Sequence, residues 1–186
     1  MELMLLIALS AIVIFFVFVF NRLVSLRNRA AGSWSDIDVQ LKRRHDLVDN
    51  LVETVRGYVS HERETLERVV QMRSRAGAAR ETDSPEGSGK AETELGGGVG
   101  QLFALAEGYP DLKASERFAD LHRGLVELED DLQNARRYYN AVVRDFNTRI
   151  QSFPDLIVAN LFRFTEREFF SLSDPSEALA PKVELP

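Results

Sequence analysis

The fold is decided by ERFADLHRGLVELEDDLQNARRYYNAVVRDFNTRIQ, residues 116–151. The apolar residues of this stretch recur at alternating spacings of three and four, which is the period of a coiled-coil seam. They are Phe118, Leu121, Leu125, Leu128, Leu132, Ala135, Tyr139, Val142 and Phe146. The spacing predicts one helix about 54 Å long, which needs apolar partners along its whole length. We predict that the other helices of the chain cover it in an antiparallel four-helix bundle, and we rank this above an intermolecular coil.

The chain before residue 116 also has helical spacing, and no alternating strand pattern competes with it. The first stripe is Trp34, Ile37, Leu41, Val48, Leu51, Val52 and Val55, and a second begins at Leu66, Val69, Val70 and Met72. The phase breaks between residues 57 and 62, which predicts a turn between two antiparallel helices. The sequence therefore predicts an all-α protein with long, coiled-coil-like helices.

Two segments lack any apolar period. Residues 77–98, GAARETDSPEGSGKAETELGGG, are rich in Gly, Ser and Glu and are predicted to form a flexible loop. A short third helix is expected from Val99 until Gly108-Tyr109-Pro110. Residues 171–186 contain three prolines and are predicted to be a disordered tail, so the predicted bundle covers residues 22–170.

The amino-terminal segment is a candidate membrane span. Residues 3–20, LMLLIALSAIVIFFVFVF, carry no charge and extend for roughly 27 Å as a helix, close to the hydrocarbon thickness of a bilayer. We interpret residues 1–21 as an uncleaved transmembrane anchor rather than a cleaved signal, which has a shorter apolar run and a basic start. The flanking cations Arg22, Arg27 and Arg29 follow the span and none precede it, which predicts that the rest of the chain is cytoplasmic.

Composition excludes several classes of protein. The 186 residues include no cysteine, so disulfides, thiolate metal sites and cysteine nucleophiles are excluded. Residues 22–80 hold 12 Lys and Arg against 8 Asp and Glu, whereas residues 81–186 hold 11 against 20. The basic part follows the anchor, as expected beside anionic lipid. Nucleic-acid binding is not supported, because basic residues alternate with acidic ones and the pI is about 5.2.

No motif indicates catalysis. His61-Glu62 begins a zinc-protease motif, but Thr65 stands where the second histidine is needed, and the glycines at 96–100 lack the Lys-Ser/Thr of a phosphate loop. We therefore assign no catalytic, cofactor-binding or metal-binding residue, no cofactor and no small-molecule substrate. The opposing hypothesis, a hydrolase or metal-dependent enzyme, would use His45, Asp49 and acidic residues of neighbouring helices. We prefer to interpret His45 as a solvated, hydrogen-bonded side chain.

Two segments, residues 34–58 and residues 135–154, interleave polar side chains with the apolar stripe. Such residues form either a partner-binding face or interhelical polar pairs that set the register of a bundle, and we favour the second interpretation. The candidates are Trp34, Asp36, Asp38, Arg43, Arg44, Asn50, Arg136, Arg137, Tyr138, Asn140 and Asn147.

The segment FPDLIVANLFRFTEREFF, residues 153–170, holds five phenylalanines. Most such clusters close the end of a bundle, and an exposed part would be a docking patch for membrane or protein. The candidates are Phe162, Phe164, Phe169 and Phe170.

Three long motifs in this order resemble the LemA family of bacterial membrane-anchored proteins. They are NRLVSLRNRAAGSWSDIDVQLKRRHDLVDNLVETVRGYVSHERETL, LFALAEGYPDLKAS, and ARRYYNAVVRDFNTRIQSFP followed by FRFTEREFF, and the resemblance covers about residues 18–170. Asp49 stands where many relatives carry proline and Arg163 where glycine is common, and we expect these two departures to affect only local bends. The resemblance implies a transmembrane helix and a four-helix bundle, and supplies no catalytic residue.

From these patterns we expect a non-catalytic scaffold or adaptor of the bacterial inner membrane. The alternative is a protein that assembles with itself to shape a membrane or organise an organelle. The expected partners are the lipid bilayer and either a second copy of the chain or another membrane protein. The resemblance points to a membrane protease as one such protein.

Overall fold

The computed structural model describes residues 1–59, 61–82 and 84–171, and this part of the chain is α-helical with no β-strand. The helices are α1 (Glu2–Arg56), α2 (Arg63–Glu81), α3 (Pro85–Ala106), α4 (Pro110–Lys113), α5 (Glu116–Gln151) and α6 (Asp155–Leu161). The predicted all-α class is confirmed, and α5 has the predicted bounds. Of the predicted tail, residues 172–186 lie outside the described residues.

The chain divides into two compact units. The first unit comprises Met1–Ile37 and Gln133–Phe169, and the second comprises Asp38–Leu132 with the chain from Phe170. Both α1 and α5 are long enough to supply residues to each unit.

The first unit contains the candidate membrane span. Within the described residues, α1 is the one helix long and apolar enough to cross a membrane. Most side chains between Leu3 and Phe18 are exposed, and burial begins at Val19 and Leu23. These two residues share a small core with Phe146 and Ile150 of α5 and with α6. The apolar run therefore ends where the first packed layer of the protein begins.

The second unit has a core to which every long helix contributes. The buried residues come from α1, α2, α3 and α5, and α4 adds Leu112. They include Val48, Leu51 and Val55 of α1, Leu66 and Val69 of α2, Leu95, Val99 and Leu102 of α3, and Phe118 and Leu125 of α5. The stripes that predicted α1, α2 and α5 thus lie mostly on the buried faces of those helices, and Val70 of α2 is an exposed exception.

The prediction of a flexible loop over residues 77–98 is wrong. Helix α2 continues to Glu81, and α3 begins at Pro85 and contains every glycine of the predicted loop except Gly77, which lies in α2. Helices α2 and α3 pack against each other. Ser88 Oγ donates to the Ala79 carbonyl near the turn, and Gly98 lies against Val69 and Met72 further along.

Local interactions explain why α3 forms despite its glycines. Ser84 is the N-cap, its Oγ accepts from the Gly87 N–H at 3.3 Å, and Pro85 occupies the first turn. A hydrogen bond from Lys90 to Glu86, one turn apart, lowers the pKa of Glu86 and raises that of Lys90. The missing side chain at Gly98 admits close packing, since a Cβ there would lie 2.8 Å from Met72 Sδ.

Candidate functional site

The first predicted segment, residues 34–58, distributes its polar residues between the surface and the core. Asp36, Arg43 and Asn50 are exposed. Asp38 forms an ion pair with Arg80 of α2 at 3.5 Å. Only Arg44 among the predicted polar candidates of this segment is buried.

Arg44, His45 and Glu92 form a buried polar cluster, and Glu129, whose side chain is 38% exposed, pairs with Arg44 at the edge of this cluster. The Arg44 guanidinium lies 3.4 Å from Glu92 Oε2 and 3.2 Å from Glu129 Oε2, so it joins α1 to α3 and to α5. His45 Nε2 lies 2.6 Å from the other Glu92 oxygen, Oε1. Glu92 is 1% exposed and His45 3% exposed. The preferred interpretation of His45 as a solvated side chain is therefore wrong, because the histidine is a buried partner of Glu92.

The buried polar cluster satisfies a carboxylate that would be costly to bury alone. Both Glu92 oxygens have partners, one on Arg44 and one on His45. The side chain of Arg44 links three helices of the second unit, and its role in setting register stays a prediction.

The hydrolase hypothesis combined His45 and Asp49 with acidic residues of neighbouring helices, and the structure places His45 and Asp49 in two separate contacts. Asp49 Oδ2 lies 2.8 Å from the Arg73 guanidinium of α2, whereas His45 contacts Glu92. No group of three or more His, Cys, Asp and Glu side chains that could hold a metal ion occurs among residues 1–59, 61–82 and 84–171.

The second predicted segment lies largely in α5, and its side chains form hydrogen bonds to the chain that follows α6. Asn147 Nδ2 donates to the Arg167 carbonyl, and the Arg167 N–H donates to Asn147 Oδ1, both at 2.9 Å. Tyr139 Oη donates to the Glu168 carbonyl at 2.9 Å. Gln151 Nε2 donates to Glu166 Oε1 at 2.7 Å. We call residues 163–168 the C-terminal strap, because polar side chains of α5 bind it along its length.

The remaining candidates of this region occupy varied positions in the first unit. The ring of Trp34 lies 5.5 Å from that of Tyr139. Arg136 is buried, whereas Tyr138 is exposed and Arg137 bonds to Asn134 within α5 at 2.5 Å. Asn140 is half-buried.

The aromatic segment packs beside the end of the apolar run. The Phe20 ring lies 4.6 Å from that of Phe162 and 6.0 Å from that of Phe164, and the Arg27 guanidinium lies 5.5 Å from the Phe164 centroid. Phe162 is nevertheless 52% exposed, because it covers Phe20 with one face only. Phe169 is also exposed, and Phe170 is buried. The segment thus contains both the packed and the exposed aromatics considered from the sequence.

The sequence patterns missed Glu92, the residue on which the buried polar cluster converges. A usable signal was present, because Ser88, Glu92, Leu95, Val99, Leu102 and Ala106 follow the same spacing of four and three as α5 and are all buried. The period was hidden because two of its positions are polar and glycines separate the others. The C-terminal strap was missed because most of its bonds go to backbone atoms, which carry no side-chain pattern.

The other flanking cations lie near the membrane end of the first unit. Arg22 and Arg29 of α1 are exposed and line a groove with Arg144 and Arg149 of α5. Arg149 forms an ion pair with Asp155 at the start of α6 at 3.1 Å. The groove has a volume of about 510 Å³.

Comparison with known proteins places these features in a family. The chain is 25% identical over 174 residues to the magnetosome protein MamQ 2 of Paramagnetospirillum magneticum, across 81% of this chain and 64% of that protein. It is 28% identical over 155 residues to protein LemA of Metamycoplasma hominis, across 83% of this chain and 69% of that protein. The chain spans less than two thirds of the length of MamQ 2. Residues 33–185 match the model of the LemA family, and the chain therefore belongs to that family.

Proposed function

We propose that this chain is a single-pass membrane-anchored scaffold or adaptor, meaning a protein that holds a partner at the bilayer without catalysing a reaction. The main observation that supports this proposal is that α1 is one continuous helix. One helix contains an apolar run with exposed side chains and, further on, the fully buried Leu23, Ile37 and Val48. Such a helix fits a protein whose folded part is attached directly to its anchor, without a flexible linker.

The use of the polar side chains supports a non-catalytic role. In the second unit, Arg44 and His45 both bind Glu92. In the first unit, Tyr139 and Asn147 bind backbone atoms of the C-terminal strap. These groups are engaged in structural contacts rather than directed toward a substrate.

We further propose that the helices form an antiparallel four-helix bundle. Asp38 pairs with Arg80 and Asp49 with Arg73, so α1 and α2 run in opposite directions through the second unit. Gly124 of α5 approaches Leu47 of α1 while Glu129 pairs with Arg44, which is the pattern of a second antiparallel pair.

We propose that the folded part lies on the cytoplasmic side of the bacterial inner membrane, because Arg22, Arg27 and Arg29 follow the span. The absence of native cysteine makes single-cysteine variants unambiguous. In intact spheroplasts, a membrane-impermeant maleimide should label Glu2→Cys and should label Glu127→Cys only after lysis. The reverse pattern would contradict this orientation.

A second candidate function is self-assembly that organises an organelle membrane. The similarity to MamQ 2, a magnetosome protein, favours it. In that case the partner of each chain is another copy of itself, and the anchor and the long helices would form a repeated layer on the membrane.

Site-specific photocrosslinking in native membranes separates these functions. A photoreactive residue is placed at the exposed positions Val39, Val126 or Tyr138, and at the buried positions Leu128 and Val143 as controls. An adaptor should give a defined heterologous adduct from exposed positions only, and self-assembly should give adducts of the chain with itself. If no exposed position gives either adduct above the buried controls, both functions are rejected.

A further inference from the structure

Helix α6 presents an apolar face that the protein leaves uncovered. Val158 and Ala159 on its inner side are buried against the core of the first unit. On the outer side and at its two ends, five large apolar residues are exposed by more than a third: Phe153, Leu156, Ile157, Leu161 and Phe162. Leu161 is 65% exposed, which is a high value for a leucine in a folded unit.

The position of α6 identifies what covers this face. Its buried residues share one core with Val19 and Leu23, and the Phe162 ring contacts the Phe20 ring at a tilt of 53°, with the centroids 4.6 Å apart. Phe20 is the last residue of the apolar run. A segment packed beside the last turn of a membrane span lies at the level of the boundary between headgroups and acyl chains. The exposed apolar face of α6 is therefore continuous with the lipid-facing surface of the anchor.

The arginine groove lies in the same unit and begins at the same level. Arg22 follows the apolar run by two residues, and Arg29 lies two turns further along α1. With Arg144 and Arg149 they give the groove four guanidinium groups, and Asp145 is the one carboxylate that lines it. Arg149 is paired with Asp155, whereas Arg22, Arg29 and Arg144 make no hydrogen bond or ion pair to any described residue.

A phosphate group matches this groove chemically. Guanidinium groups bind phosphate oxygens in a bidentate manner and are less strongly hydrated than ammonium groups. Ser25 and Thr148 add hydroxyl groups at the rim of the groove. A volume of about 510 Å³ is large enough for a phosphodiester with a small headgroup.

We infer that the first unit contacts the membrane at a second site, next to the anchor. At this site α6 inserts its apolar face into the bilayer, and the arginine groove binds the phosphate of an anionic phospholipid. This inference rests on the anchor of the proposed function and adds to it a specific lipid contact. The first unit then contacts the bilayer through α6 and the arginine groove as well as through the anchor.

The insertion of α6 is tested on the full-length chain in nanodiscs of phosphatidylglycerol and phosphatidylcholine, with one environment-sensitive fluorophore per molecule. Ile12→Cys reports the anchor, Leu161→Cys reports α6, and Glu127→Cys is the aqueous control. Spin labels at shallow depth in the lipid should quench the Leu161 probe, deep labels should quench the Ile12 probe, and neither should quench the Glu127 probe. Quenching of Ile12 without Leu161 overturns the inference and leaves the anchor intact. Absence of quenching at the Ile12 probe would instead reject the transmembrane anchor of the proposed function.

The phosphate contact is tested by the preference of the protein for spin-labelled phosphatidylglycerol over phosphatidylcholine. We expect a preference of about fivefold or more, which the triple variant Arg22→Gln, Arg29→Gln, Arg144→Gln reduces to near one. The control with the same charge change, Arg68→Gln, Arg117→Gln, Arg123→Gln, should keep the preference. Equal loss in both triple variants overturns the groove as the site. Displacement of the lipid by millimolar inorganic phosphate would make the groove a site for free phosphate and overturn the lipid assignment.

Discussion

The side-chain amide of Asn147 binds the backbone of Arg167 at both of its polar groups. Nδ2 donates to the carbonyl and Oδ1 accepts from the N–H, each at 2.9 Å. This paired arrangement resembles one rung of a β-ladder, with a side chain in place of the second strand. A side-chain amide therefore fixes the C-terminal strap in register on α5, and asparagine and glutamine are the residues that carry this group.

Replacing Asn147 should release the strap without unfolding α5. For Asn147→Ala, we expect the free energy of opening at the Arg167 amide to fall by about 1–3 kcal/mol, because two hydrogen bonds are lost. Asn147→Asp keeps the acceptor for the Arg167 N–H and loses the donor, so its effect should be intermediate. Hydrogen exchange of the full-length chain in nanodiscs measures both. Exposed Asn28→Ala is the control, and equal protection of Arg167 in Asn147→Ala and the control would contradict the role of the strap.

The buried polar cluster predicts an asymmetric response at Glu92. Glu92→Ala leaves Arg44 and His45 without their shared carboxylate, and we expect the second unit to lose about 3–5 kcal/mol of stability. Glu92→Gln retains hydrogen-bonding capacity and should lose less. Denaturant unfolding monitored in the second unit provides the measurement.

Glu94, two residues further along α3, is exposed and supplies the matched control for Glu92. Glu94→Ala should change stability by less than about 0.5 kcal/mol. If Glu92→Ala and Glu94→Ala behaved alike, Glu92 would not be the residue that stabilises the cluster. The double variant Arg44→Met, Glu92→Leu should recover part of the loss, since apolar replacement of both partners removes the buried charges together while His45 still loses its partner.

The sequence was most informative where side-chain period and burial coincide. Helix α5 could be bounded correctly because its seam runs unbroken and a serine and a proline flank it. Helix α3 could not, because composition dominated the prediction: five glycines and one serine between residues 85 and 98 are typical of a loop. Those residues are helical because capping at Ser84 and tertiary packing override weak helix propensity. The arginine groove and the strap depend on which helices meet, which no local pattern encodes.

Two adjacent glycines of α3 should respond in opposite ways to alanine. A Cβ at Gly97 would meet nothing within 4 Å, whereas one at Gly98 would lie 2.8 Å from Met72 Sδ and 3.3 Å from Val69 Cγ2. Gly97→Ala should raise the free energy of unfolding by about 0.5–1 kcal/mol through helix propensity. The free energy of unfolding of Gly98→Ala should lie about 1–3 kcal/mol below that of Gly97→Ala, because the added methyl group has to displace the Met72 side chain and crowds Val69.

Parallel unfolding curves of the two glycine variants check this prediction. Gly100→Ala supplies a second open position, since a Cβ there also meets nothing within 4 Å, and it should behave as Gly97→Ala does. Equal stabilisation at all three positions would mean that α2 and α3 do not approach each other as closely as the structure shows.

Helix α6 ends in a Schellman motif whose critical position is Arg163. The Phe164 N–H donates to the Ala159 carbonyl at 2.9 Å, and the Arg163 N–H donates to the Asn160 carbonyl at 3.3 Å. Arg163 has a φ of 55°, and it is the one non-glycine residue with positive φ in the described part of the chain. The left-handed conformation costs a residue with a Cβ about 1–2 kcal/mol. A glycine at this position would adopt it without that cost.

We therefore expect Arg163→Gly to strengthen the end of α6. Relief of the left-handed strain exceeds the larger entropy of the unfolded glycine, so opening at the Phe164 amide should become harder by up to about 1 kcal/mol. Arg163→Ala removes the same charge and side chain but keeps the strain, and should give no gain. Arg163→Asn should fall between them, since asparagine tolerates this region better than most residues. Hydrogen exchange at the Phe164 amide ranks the variants. If the free energy of opening in Arg163→Ala were equal to or higher than in Arg163→Gly, strain at Arg163 would not limit the stability of α6.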